Sequence, residues 1–156
     1  MRLAPLLTIP LMLLAASGAA GARDSPLASC KGWNATLNQR SGIDSRRATM
    51  TGTVTEANLA EYCRRDPGGE TVQYGGDLTV KAYIAKYRQQ VGHAFYRAVA
   101  DCTKGSLSFF PPQGDPQTVL FPLAEDADTS CASGMPPLMA QFKLLCPKAA
   151  ARYHIE

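Results

Sequence analysis

Histidine is scarce: His93 and His154 are the only two in 156 residues. Any Ser-His-Asp or Cys-His nucleophilic site would have to run through one of them. His154 falls in the C-terminal tail. His93 follows Gly92 at a helix-to-strand turn, where an exposed turn residue is the simpler reading. No G-x-S-x-G, H-E-x-x-H or P-loop occurs. No two cysteines stand at C-x-x-C spacing, which excludes a thioredoxin-type motif and a zinc ribbon. Charged residues make up 19% of the chain and the formal net charge is +3, too small a balance to imply a nucleic-acid partner. Beyond the N-terminal segment, no apolar run approaches the roughly twenty residues a membrane helix needs.

What is present begins with an address. Residues 1–22 carry Arg2, a Leu-rich apolar run broken by Pro5 and Pro10, and the small residues Ala20-Gly21-Ala22 before Arg23. That layout predicts a cleaved secretory signal and an exported chain, periplasmic or extracellular. All five cysteines, Cys30, Cys63, Cys102, Cys131 and Cys146, lie after it, so disulfides are expected. Two bridges leave one thiol over. Cys102 is expected to pair with Cys131 or Cys146, and Cys63 with Cys30 or the remaining one. A direct Cys131–Cys146 bridge would have to fold a loop back along about 15 Å of helix. Cys30 has a second reading. Leu27-Ala28-Ser29-Cys30 matches a lipobox, although Arg23 to Pro26 separate it from the apolar run, so Cys30 is bridged, free or lipidated.

Periodicity predicts the elements. Residues 23–46 read as a polar lead-in. Residues 47–54 alternate as a half-buried strand. A helix follows to about Arg65, capped by Thr53 or Thr55, with Thr53 and Glu56 at capping-box spacing and Asp66-Pro67-Gly68-Gly69 ending it. Thr79 caps a second helix through Val91, whose stripe of Val80, Tyr83, Ile84, Tyr87 and Val91 is expected to pack on a sheet. Residues 94–101, 107–110 and 118–121 then form an antiparallel meander turning at Thr103-Lys104-Gly105. A third helix spans 136–146, Pro147 ends it, and residues 148–156 form a frayed tail. The expectation is one α+β domain over 47–147: a small antiparallel sheet of three to four strands, packed by two to three helices and stapled by disulfides.

No catalytic constellation, metal cluster or cofactor motif emerges. Glu125-Asp126-Ala127-Asp128 lacks the glycine turn and spacing of an EF-hand and reads as a solvated loop. The remaining signals describe a surface. Tyr74 sits in a glycine loop, Phe109 and Phe110 point to opposite faces of one strand, and Arg64-Arg65 end a helix. Together they suggest a patch for an envelope protein or glycan. The expected function is a non-catalytic binding, accessory or inhibitor-like module of the bacterial envelope. Two alternatives stand beside it: a small hydrolase using loop carboxylates, and a lipid-anchored structural component.

Overall fold

In the computed structural model, residues 24–26 and 34–155 are described. The leader, Cys30 and Trp33 lie outside them. The chain builds one antiparallel sheet in sequence order: β1 (Asp24–Pro26), β2 (Asn34–Ser41), β3 (Ala48–Thr53), β4 (Phe95–Asp101), β5 (Ser106–Phe110) and β6 (Gln117–Leu120). Five strands of four to eight residues carry it, with the three-residue β1 continuing one edge. The expected three to four strands were too few, because β2 lies in the stretch expected to be a polar lead-in. Two helices, α1 (Glu56–Arg65) and α2 (Val80–Val91), are inserted between β3 and β4. Two more, α3 (Met135–Leu145) and α4 (Pro147–Arg152), follow β6.

The inner face of the sheet is built from small residues. Ala48 pairs with Ala100, Met50 with Ala98 and Gly52 with Tyr96, and all are buried. Short side chains at the centre leave room for α3 to lie close. Phe142 and Leu145 fill that room at 0% exposure. Phe142 stacks on Phe121 at 4.3 Å between ring centroids, and the Tyr153 ring lies 6.4 Å from it. The β4–β5 hairpin turns through Gly105 at φ 72°. A methyl group there would meet the Phe121 carbonyl oxygen at 2.3 Å.

The tail is not frayed. Pro147 ends α3 but opens α4, a position where proline's missing N–H costs nothing. The cap comes from far away in sequence: the Asp44 carboxylate accepts the Lys148 N–H at 3.0 Å, while the Asp44 N–H donates to the Leu145 carbonyl at 2.9 Å. Ala149, Ala150 and Ile155 complete the core beneath it.

The α2 stripe meets the main core only toward its C-terminal end, through the partly buried Tyr87 and Val91. With the inner face taken by α3 and α4, α2 packs mainly on α1. Tyr83 is the one α2 residue fully buried, and Val80 is 45% exposed. Tyr62, Cys63 and Tyr83 make a second, smaller core, edged by Leu78, Ile84 and Tyr87. Thr55, not Thr53, caps α1. Its hydroxyl accepts the Asn58 N–H at 3.3 Å, and Asn58 Oδ1 accepts the Thr55 N–H at 3.0 Å, a capping box closed by asparagine.

Cys102 and Cys146 are joined, tying the end of β4 to the end of α3 across 44 residues. Cys131 is also disulfide-bonded, to a partner outside the described residues. The expected bridge from Cys63 does not form. Cys63 is a free thiol buried in the tyrosine core. Burial pushes it up from its ordinary pKa, and the nearby Asp66 and Glu70 charges add to the rise.

Candidate functional site

The expected surface residues separate into three places. Phe109 is not on the surface: it is 3% exposed and stacks on Tyr96 at 6.0 Å, because its alternation places it on the covered face. Phe110 lies on the uncovered face of the sheet, beneath the guanidinium of Arg97 at 4.2 Å. Tyr74, Arg64 and Arg65 belong to the α1–α2 lobe. Both arginines are exposed in the last turn of α1, where they complement the helix dipole, and Arg65 also reaches Glu61 at 3.4 Å.

The lobe's connecting loop, residues 66–79, is held from within. Asp66 ends α1 in a left-handed conformation at φ 41°. Its carboxylate turns back over the loop. Oδ1 accepts the Glu70 N–H at 3.0 Å, and Oδ2 accepts both the Thr71 N–H at 2.8 Å and the Thr71 hydroxyl at 2.7 Å. Downstream, the Val72 N–H donates to the Leu78 carbonyl and the Leu78 N–H to the Glu70 carbonyl, each at 3.0 Å. The Gly76 N–H donates to the Thr71 carbonyl at 2.8 Å. Gly76 must be glycine, since an added methyl would lie 2.2 Å from the Glu70 backbone. Glu70 itself is anchored on α2 by an ion pair with Lys86 and by the Tyr87 hydroxyl at 3.0 Å.

Beneath the loop, Tyr62, Tyr83 and Tyr87 meet ring to ring, the closest pair edge-on at 4.9 Å. The Tyr83 hydroxyl sits beside the Asp66 carboxylate and the Tyr87 hydroxyl, short of full hydrogen-bond geometry to either. Burial raises its pKa first of all.

On this braced backbone the short turn Val72–Tyr74 projects outward. Val72 is 66% and Tyr74 52% exposed. An apolar and an aromatic side chain thus stand in solvent on a loop whose backbone is already fixed. Of these residues the sequence pointed to Tyr74 alone. The signal for the rest was the Asp66-Pro67-Gly68-Gly69-Glu70-Thr71 run, which holds a carboxylate four and five residues before the N–H groups it binds.

Asp66 and Glu70 lie together in this lobe, and neither suits general acid work. Burial alone would raise Asp66, but the Thr71 hydroxyl and the Thr71 and Glu70 N–H groups hold it down to about 2. Lys86 first, then Tyr87, lower Glu70 against its own burial. A glycosidase acid needs the opposite shift. Asp101 is occupied by the N–H groups of Thr103 and Lys104, and Ser130 holds Asp128 below its ordinary value. No group of three or more potential metal ligands occurs among the described residues. No helix among them is long and apolar enough to cross a membrane.

The depressed Asp66 pKa gives a pH signature. Its folded-state value lies below its ordinary 3.8, so its stabilising contribution is complete above about pH 4 and is lost as pH falls toward 2. Melting temperature followed from pH 6 to pH 2 is expected to fall more steeply in the native protein than in Asp66→Asn, which lacks this titration. Parallel curves would contradict the assignment.

No family model, curated protein or solved structure matches the chain.

Proposed function

We propose that the chain is an exported, non-catalytic binding module of the bacterial envelope, inhibitor-like in design, and that the loop 66–79 engages a partner protein. The observation that carries this reading is the combination of an internally bonded loop backbone with exposed Val72 and Tyr74 at its tip. A loop ordered before binding loses little conformational entropy on association. Aromatic side chains are enriched among the residues that dominate binding energy. Arg64, in the helix turn preceding the loop, adds positive charge. The partner accordingly presents an apolar recess with an acidic rim. The N-terminal segment supports export, and the disulfides are compatible with it.

The test is quantitative capture from envelope extract by the immobilised protein, with the double variant Val72→Ser/Tyr74→Ser alongside. Both side chains are exposed, so the variant is expected to melt as the native protein does. The expected result is a partner whose affinity drops by at least about tenfold in the variant. A partner retained equally by both proteins, or no enriched partner at all, would overturn the proposal.

A further inference from the structure

Among the described residues, the face of the sheet turned away from α3 carries no helix. Its rows run across the strands: Ser41, Thr49, Val99, Ser108 and Thr118 in one, then Gln39, Thr51, Arg97 and Phe110 in the next. Hydroxyls dominate, and several pair with one another. Ser41 bonds Thr49 at 2.8 Å, and Ser108 bonds Thr118 at 3.0 Å. One cluster breaks this pattern. The Arg97 guanidinium sits over the Phe110 ring at 4.2 Å, and Phe95, two residues before it on the same face, is 51% exposed.

Arg97 is the cation of these two rows, and no carboxylate or hydrogen-bond acceptor engages it among the described residues. Asp101, two rows along β4, already binds two N–H groups of its own turn. The Phe110 ring holds the guanidinium over it without using its N–H donors. Those donors match a carboxylate bidentately. Beside the guanidinium stands an exposed ring, with Thr51 and Thr53 as the cross-strand neighbours of Arg97 and Phe95. An aromatic platform, a planar cation without a counter-charge, and neighbouring hydroxyls are together complementary to a sugar bearing a carboxylate.

We infer that the open sheet face is a second binding site, separate from the 66–79 loop, and that it takes an acidic saccharide of the uronate type. Arg97 receives the carboxylate and Phe95 stacks on the C–H face of a sugar ring. The charge-assisted contact weakens with added salt.

The experiment is a titration of the isotopically labelled protein, followed by amide NMR, with hexagalacturonate and, separately, with neutral maltohexaose and with inorganic phosphate. Hexagalacturonate is expected to shift amides of β3, β4 and β5 around Thr51, Phe95 and Arg97. Its affinity is expected to fall at least about tenfold in Arg97→Ala, as befits loss of a charge-assisted hydrogen-bonded pair. Arg97→Lys keeps the charge without the fork and is expected to recover only part of it. Maltohexaose and phosphate are expected to bind at least about tenfold more weakly than hexagalacturonate. Equal binding of maltohexaose or phosphate, shifts confined to other elements, or no response to hexagalacturonate at millimolar concentration would overturn the assignment. Protein capture through Val72 and Tyr74 should be unchanged in Arg97→Ala, so failure of one site is distinguishable from failure of the other.

Discussion

Phe142→Ala is expected to lower the unfolding free energy by about 3–5 kcal/mol. Phe142 is fully buried and packs against the rings of Phe121 and Tyr153. Truncation removes its burial and leaves a cavity that α3 cannot collapse into. The C-terminal end of the helix is held by the Cys102–Cys146 bridge and by the bond from the Asp44 N–H to the Leu145 carbonyl. Because a domain of this size is stable by only about 5–15 kcal/mol, the loss should appear as a large drop in the urea midpoint at unchanged slope. A change under about 1 kcal/mol would mean that α3 does not close the sheet as described.

The second large effect is loss of the Cys102–Cys146 bridge. Closing a loop of 44 residues restricts the unfolded chain by about 4 kcal/mol in the chain-entropy account. The double variant Cys102→Ala/Cys146→Ala should therefore unfold at markedly lower urea, with the folded core otherwise retained because both side chains are small and buried. Peptide mapping without reduction should recover Cys102 joined to Cys146. It should also recover Cys131 in a bridge. Cys63 should alkylate only after denaturation, since its thiol is buried and held protonated. A midpoint unchanged in the double variant, or Cys63 found in a bridge, would contradict this arrangement.

Much of the architecture was legible where one periodicity dominated. Thr79 caps α2 where expected, and the β4–β5 hairpin turns at Gly105, because in both places local chemistry and burial agree. β2 was hidden. Beyond Leu37 its residues are solvent-exposed, and a bulge between Leu37 and Gln39 breaks the alternation. α4 was hidden for a different reason: its cap is Asp44, which is 104 residues distant. A sequence read locally shows only Pro147 and a short polar tail.

The candidate surface was partly legible in the same sense. Period two placed Phe109 and Phe110 on opposite faces, but which face is covered depends on where α3 docks. Tyr74 stood out as an aromatic among glycines. What makes it useful for recognition, the bracing of its loop by Asp66, needs three donors from two residues to meet one carboxylate, and spacing alone does not show that.

The central claim is that the 66–79 loop is ordered before any partner arrives. Amide hydrogen exchange on the isolated protein tests it directly. The N–H groups of Thr71, Val72, Gly76 and Leu78 all have acceptors within the lobe. Protection of at least about 100-fold over the unstructured rate is expected at these four, and its loss at Thr71 in Asp66→Ala. Exchange near the unstructured rate in the native protein would show a loop that orders only on binding, and would contradict the account.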